Sequence, residues 1–137
     1  MYGIIYLYRK GVNNVIDNIE LELTEKLRGL TLSAMFSIES ANEVIFKDFE
    51  NKETRCLAYL YRAINYISDA KMLYLMNQVL WRDDIDSFFS QFNVFIDEIT
   101  RNIATNHSHQ WTDIEFKKLA EIYDFSSINC EYHRFSQ

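Results

Sequence analysis

The sequence contains no proline and only three glycines in 137 residues, and no glycine follows Gly29. Phosphate-binding loops and dinucleotide-binding fingerprints need glycines where a strand meets a helix. Tight two-residue hairpins also usually need glycine. These absences argue against all-β folds and doubly wound α/β folds. We therefore predict an all-α helical bundle, with two long antiparallel helices, shorter C-terminal helices, and residues 1–137 in one domain.

Cysteine is scarce as well. Cys56 and Cys130 lie far apart and form no metal-binding pair, so we expect two buried, reduced thiols. The apolar run Ile4–Tyr8 is too short for a membrane span or for the core of a signal peptide. The sequence therefore predicts a cytoplasmic protein that does not act at a membrane.

Positive charge is in the minority, with 14 lysines and arginines against 20 acidic residues and a net charge of −6. No basic block is present, so binding to duplex DNA has no electrostatic support. Folding can still gather scattered arginines around a few phosphates of an RNA strand. The acidic balance fits a protein that binds a basic partner equally well.

Apolar residues recur every three or four positions from Asn14 to Phe49, which predicts a long helix capped by Asn14. Gly29 lies inside this helix and is expected to bend or break it. The residues before Asn14 fit either a strand or a first helical turn. A polar turn at 49–54 follows. The predicted apolar stripe comprises Ile16, Ile19, Leu23, Leu27, Leu30, Ala34, Ile38, Ala41, Ile45 and Phe49.

A second long helix is predicted over residues 54–81. Its buried stripe is expected to contain Leu57, Leu60, Ile64, Ile67, Tyr74 and Leu75. The part from Met72 to Trp81 is apolar on most sides, which places it either at the centre of the bundle or under a second copy of the chain. Aromatic residues make up 15% of the sequence, and both features predict a homodimer.

Two shorter helices follow. Asp83 or Asp84 is expected to cap the third, whose core stripe is predicted to contain Ile85, Phe88, Phe89, Phe92, Phe95, Ile96, Ile99 and Ile103. Thr112-Asp113-Ile114-Glu115 has the pattern of a capping box, with Trp111 and Phe116 spaced as a hydrophobic staple. This predicts that the third helix ends within 105–110 and that the fourth runs from Thr112 to about Tyr123.

The spacings typical of metal sites are missing from the sequence. There is no Glu-x-x-His, Cys-x-x-Cys or His-Glu-x-x-His, and no serine lies in a nucleophile elbow. His107 and His109 are two residues apart and have no obvious further ligands. We therefore predict no metal and no cofactor.

The segment Arg101-Asn102-Ile103-Ala104-Thr105-Asn106-His107 contains residues suited to cleaving a phosphodiester without a metal. Arg101 falls on the polar face of the third helix, where its guanidinium can hold a phosphate. His107 can exchange protons near neutral pH. One group can take the proton of a ribose 2′-hydroxyl while the other stabilises charge on the phosphate oxygens.

This segment resembles the signature of the "higher eukaryotes and prokaryotes nucleotide-binding" (HEPN) superfamily, in which arginine, a polar residue and a later histidine end a helix. The resemblance implies an all-α homodimer with two such pairs across one cleft. It implies a metal-independent endoribonuclease of toxin–antitoxin or antiviral type, with RNA as substrate and a cognate antitoxin as partner. Arg101 would hold the phosphate, His107 would act as general acid/base, and Asn102 would orient one of them.

Some toxin members of that superfamily carry, two positions after the motif histidine, a tyrosine that their antitoxin modifies. His109 stands at this position here, so it either assists His107 or has no part in the chemistry. An alternative reading also stays open, in which Arg101 only pairs with Asp97 or Glu98 on a helix surface. The chain would then be a non-catalytic acidic binding protein, such as an immunity protein or a phage-encoded inhibitor.

Overall fold

The computed structural model describes the backbone of residues 2–129 and the side chains of residues 18–129. This part of the chain contains no strand. Its elements are α1 (Tyr2–Ile45), α2 (Lys52–Met76), a 3₁₀ turn (Gln78–Leu80), α3 (Asp83–Thr105) and α4 (Gln110–Asp124). The predicted all-α bundle is confirmed. No helix within these bounds is long and apolar enough to cross a membrane.

The first helix is longer than the sequence pattern predicts. It is continuous from Tyr2, so the predicted cap at Asn14 is wrong, and it ends at Ile45 rather than near Phe49. Gly29 does not break it. That glycine is exposed, and a Cβ added there would meet nothing within 4 Å. α1 and α2 then pack closely as a hairpin joined by a short turn, in which Asn51 takes a left-handed conformation.

Small side chains lie at the centre of the contact between α1 and α2. The fully buried ones are Ala34, Ala41, Cys56, Ala63 and Ala70. Small side chains allow two helices to approach closely, and the larger Ile38, Leu60 and Ile67 are buried alongside them. Five residues predicted to be buried are exposed instead, namely Ile19, Phe49, Leu57, Ile64 and Leu75. Ile16 and Cys130 lie outside the described side chains.

α2 ends at Met76, five residues before the predicted end, because side chains satisfy its last carbonyls. The Asn77 amide donates to the Leu73 carbonyl at 2.8 Å. The Trp81 indole N–H donates to the Tyr74 carbonyl, also at 2.8 Å. The chain can therefore turn into the 3₁₀ segment. Met72 is exposed, so this region does not lie at the centre of the bundle.

The start of α3 also differs from the prediction. Arg82 precedes the helix, and neither Asp83 nor Asp84 caps it. Asp84 instead accepts hydrogen bonds from the Ser127 backbone N–H at 2.6 Å and its hydroxyl at 3.0 Å. This fixes the segment after α4 to the start of α3. The apolar stripe of α3 is buried as predicted, except that Ile96 and Ile103 are partly exposed.

The capping box predicted at Thr112 is wrong. α4 begins two residues earlier, with His109 at the N-cap position and no side-chain cap. Thr112 is fully buried inside the helix, because its hydroxyl bonds to α3. The predicted hydrophobic staple is also absent, since Trp111 is mostly exposed while Phe116 packs edge-on against Phe95.

Candidate functional site

The Arg101–His107 segment spans the C-terminal end of α3. Asn106 takes a left-handed conformation with φ of 55°. The His107 backbone N–H donates to the Asn102 carbonyl at 3.0 Å, and the Asn106 N–H donates to the Ile103 carbonyl at 3.4 Å. These two bonds form a Schellman motif. They end α3 at Thr105, within the predicted range, and place His107 directly beyond the helix.

Asn102 is buried, with 6% of its surface exposed. Its side-chain amide donates to Glu98 Oε1 and to Thr112 Oγ1, both at 3.0 Å. A buried amide with two partners avoids the cost of an unpaired polar group. Asn102 therefore joins the end of α3 to the start of α4.

Arg101 is exposed and lies 3.3 Å from Glu98 through its Nη2 and the Glu98 Oε2. Glu98 thus binds Arg101 with one oxygen and Asn102 with the other. The ion pair is a surface pair three residues apart on one helix, which typically contributes a few tenths of a kcal/mol. The guanidinium is therefore held in place weakly and stays open to an incoming anion.

The His107 side chain is exposed. Among the side chains of residues 18–129, none forms a hydrogen bond or an ion pair with its ring. The structure thus connects Arg101 to Asn102 through Glu98, and it ties the His107 backbone to Asn102. The imidazole itself is exposed.

His109 has different surroundings. Its Nδ1 lies 3.4 Å from Thr112 Oγ1, and its ring meets the ring of Phe46 edge-on at 6.3 Å. Burial lowers the pKa of His109, the nearby Lys52 charge lowers it further, and Glu53 partly opposes them. His109 is therefore a neutral, packed residue at pH 7, at the place where α4 meets the turn between α1 and α2.

The lowered pKa predicts that His109 gains a proton only at a lower pH than an ordinary histidine does. In a two-dimensional NMR titration of the imidazole nitrogens, its midpoint should lie below 6.5. Lys52→Met should move that midpoint upward because it removes the second cause of the shift. Lys26→Met, on the exposed surface of α1, is the matched control and should leave it unchanged. A midpoint at or above 6.5 in the unmodified protein would contradict this prediction.

A second set of bonds holds α4 against α1. The Asn42 amide donates to Asp113 Oδ1 at 3.3 Å, and Lys117 pairs with Asp113 Oδ2 at 2.9 Å. Lys117 and then Asn42 lower the pKa of Asp113. The Asn42 Oδ1 is buried and has no hydrogen-bond partner among the described atoms. These contacts hold the start of α4, where His109 and Thr112 lie, against α1.

Sequence reasoning missed two residues of this network. The sequence indicates Glu98 only as a surface partner of Arg101, although its spacing of four residues from Asn102 also permits a bond on one helix face. Thr112 was missed because its position before Glu115 imitates a capping box. Glu115 instead accepts a hydrogen bond from Gln91 at 2.7 Å, which leaves Thr112 free to bind Asn102.

Among the described side chains, no three or more histidine, cysteine or acidic residues are grouped so that they could hold a metal ion. The candidate site therefore consists of the contacts around Asn102. Comparison of the chain with protein-family models, with curated proteins and with solved structures finds no match.

Proposed function

We propose that the protein is a metal-independent endoribonuclease of the HEPN type, with Arg101 and His107 as catalytic residues. The observation that supports this best is the distribution of burial within the motif. The Arg101 and His107 side chains face the solvent, while Asn102 is buried and hydrogen bonded on two sides. Both reactive groups are accessible to RNA, and the residue between them fixes the helix end that carries them.

In the proposed reaction, the guanidinium of Arg101 binds the non-bridging oxygens of the scissile phosphate. His107 takes the proton of the ribose 2′-hydroxyl, and that oxygen attacks the phosphorus. The bond from phosphorus to the 5′-oxygen of the next nucleotide breaks, and this oxygen takes up a proton from the imidazolium or from water. Arg101 stabilises the negative charge that grows on the phosphate oxygens. The products carry a 2′,3′-cyclic phosphate and a 5′-hydroxyl.

Asn102 acts in this proposal as a positioning residue. It holds Glu98, and Glu98 holds the guanidinium of Arg101 in the absence of RNA. Because the ion pair is exposed, a phosphate can replace the carboxylate at a small cost. The Asn102 carbonyl also accepts the His107 N–H, so the same residue sets the direction in which the chain leaves α3.

The proposal places the protein in the cytoplasm, with RNA as substrate, a second copy of the chain as partner and a cognate antitoxin as regulator. His109 replaces the tyrosine that some antitoxins modify, and it has no hydroxyl group to receive such a modification. An antitoxin is therefore expected to act by covering Arg101 and His107.

The direct test is RNA cleavage by the purified protein in the presence of EDTA. Single-stranded RNA should be cut, and the products should carry 2′,3′-cyclic phosphate ends because the attacking group is the neighbouring 2′-hydroxyl. The matched control is the same strand with 2′-O-methyl groups, which should stay intact. If no RNA is cut under any condition, the catalytic proposal is wrong and the acidic binding protein replaces it.

A further inference from the structure

A groove of about 280 Å³ lies between α2 and α3, where the two helices touch only sparsely. The most buried of its lining residues are Ile67 on α2 and Phe92 on α3, with 4% and 2% of their surfaces exposed. These two side chains form an apolar floor. The lining residues of α3 all precede Arg101 in the chain, so the groove is separate from the candidate site.

The helices on either side of the groove run in opposite directions. The Tyr74 hydroxyl of α2 donates to Asp86 Oδ1 of α3 at 2.8 Å. One turn earlier in α2 and one turn later in α3, the Lys71 ammonium lies 5.8 Å from the centre of the Phe89 ring. Residues earlier in α2 therefore lie level with residues later in α3.

This direction places polar and apolar residues at opposite ends of the groove. Lys71 lies at one end, and Ile64 and Ile96 lie together at the other. At the usual rise of a helix, about 10 Å separates Lys71 from Ile64 along α2. Ser68 and Asn93 line the groove between the two ends, and a hydroxyl and an amide can both donate hydrogen bonds. A ligand that fits this order has a polar head and an apolar tail.

Lys71 is the only charged residue among the described residues that line the groove. Its side chain is partly buried. None of the ion pairs within residues 18–129 involves it, whereas Lys117 and Lys118 each pair with a carboxylate. The Phe89 ring beside it offers only a weak attraction to a cation. Because a charge taken partly out of water without a partner costs free energy, an anion bound at Lys71 would be stabilised.

The volume of the groove limits the size of the ligand. A cavity of about 150 Å³ holds a benzene molecule, so a groove of about 280 Å³ admits an apolar body of about ten carbons. The charge of the groove limits the head group. A phosphate monoester carries a charge of about −1.5 to −2 at pH 7, which is more than one lysine neutralises. A carboxylate carries a single negative charge and accepts hydrogen bonds at both oxygens.

From the apolar floor, the order of polar and apolar residues and the charge of Lys71, we propose that the groove binds a small amphipathic carboxylate of the size of a medium-chain fatty acid. The carboxylate head binds the Lys71 ammonium. The tail lies over the floor and ends between Ile64 and Ile96. This binding is independent of the proposed cleavage of RNA and gives the chain a second ligand.

The first experiment is a titration of the whole chain with sodium decanoate below its critical micelle concentration, followed by NMR of labelled isoleucine methyl groups. The methyls of Ile64, Ile67 and Ile96 should shift and reach saturation. Ile114 on α4 and Ile19 on α1 are the controls, and Ile114 is nearly as exposed as Ile64, 36% against 39%. Their methyls should not shift. No shift at the groove, or equal shifts at the control positions, would overturn the proposal.

The second experiment tests the charge. Lys71→Met keeps most of the apolar stem and removes the ammonium. The dissociation constant of decanoate should rise by at least about 10-fold, the factor expected when one hydrogen bond to a charged group is lost. Lys26→Met, on the exposed surface of α1, is the matched control and should bind decanoate like the unmodified protein. Equal affinity in Lys71→Met and the unmodified protein would rule the proposal out.

A ligand of opposite charge makes the same test without a mutation. Decyltrimethylammonium has a tail of the same length as decanoate but carries a positive head. It should leave the methyls of Ile64 and Ile96 unshifted, because Lys71 repels it. Shifts of the same size with both ligands would show that the groove does not select an anion, which contradicts the proposal.

The third experiment fills the groove. Ser68 is exposed, so Ser68→Trp should fold, and its indole should take the place of the ligand tail. Decanoate should then no longer shift the methyls of Ile64 and Ile96. Ser87→Trp, at an exposed position of α3 outside the groove, is the matched control and should bind decanoate unchanged. Undiminished binding in Ser68→Trp would place the ligand elsewhere and overturn the proposal. None of these measurements involves RNA, so they decide the proposal whether or not the protein cuts RNA.

Discussion

Arg101→Ala and His107→Ala should each lower the rate of RNA cleavage by about 10²- to 10⁴-fold, the usual loss when a general acid/base or a positioned charge is removed. Arg101→Ala takes away the positive charge that holds the phosphate. His107→Ala takes away the group that moves the proton. The double variant should be little slower than either single variant, because groups that act together in one step are not additive. Cleavage of a labelled RNA with EDTA present measures all three rates.

Both variants should stay folded, since Arg101 and His107 are exposed and the ion pair of Arg101 with Glu98 is a surface pair. Arg82→Ala is the matched control for the arginine. Arg82 is also exposed, also pairs with a single carboxylate, Glu20 at 3.5 Å, and lies at the other end of α3. His109→Ala is the control for the histidine and should cost much less activity. An equal loss in His109→Ala would move the catalytic role to that residue, and full activity in both site variants would rule the site out.

Asn102→Asp should lower the free energy of unfolding at pH 7 by about 3–5 kcal/mol, as expected for a buried charge that lacks a compensating partner. The new carboxylate would take the place of an amide that lies 3.0 Å from Glu98, so two negative charges would meet in a buried position. Both burial and repulsion raise the pKa of the new carboxyl in the folded state. The folded state then holds a proton that the unfolded state has released, and stability is lost as pH rises. Chemical denaturation at several pH values measures this.

The loss in the free energy of unfolding caused by Asn102→Asp should therefore shrink as the pH is lowered from 7 toward 5. Asn18→Asp, the same change at an exposed position of α1, is the matched control and should stay within about 0.5 kcal/mol of the unmodified protein. A loss below about 1 kcal/mol for Asn102→Asp would show that Asn102 does not hold the end of α3 in the way described.

The sequence predicts the helices of this protein well because their apolar residues recur at a regular spacing. The stripe of α3 is dominated by phenylalanine and isoleucine, whose side chains strongly favour burial. Six of its eight predicted members are buried. α2 is different. Large apolar residues lie on two of its faces, and its buried face also contains Ala63 and Ala70. A count of large side chains therefore finds only part of the buried face: Leu60, Ile67 and Tyr74 are buried as predicted, and the small residues are missed.

The ends of the helices were harder to predict because they depend on residues distant in sequence. Thr112 and Glu115 match a capping box locally, yet Asn102 binds the first and Gln91 binds the second. Asp84 lies where it could cap α3, yet its carboxylate accepts a hydrogen bond from the Ser127 hydroxyl. For the candidate site, the sequence predicts that Arg101, Asn102 and His107 lie at a helix end, and α3 ends among them at Thr105. It did not show that Asn102 points inward, or that Glu98 connects it to Arg101.

The order in which the helices pack has a consequence for how fast this chain folds. α1 packs mainly on α2 and α3 mainly on α4, so the principal partner of each helix is its neighbour along the chain. Domains built from such local contacts fold in about microseconds to milliseconds. With no proline in the sequence, no slow isomerisation of an X–Pro bond has to precede the native state. After synthesis, the two hairpins can therefore form without waiting for a slow step in the backbone.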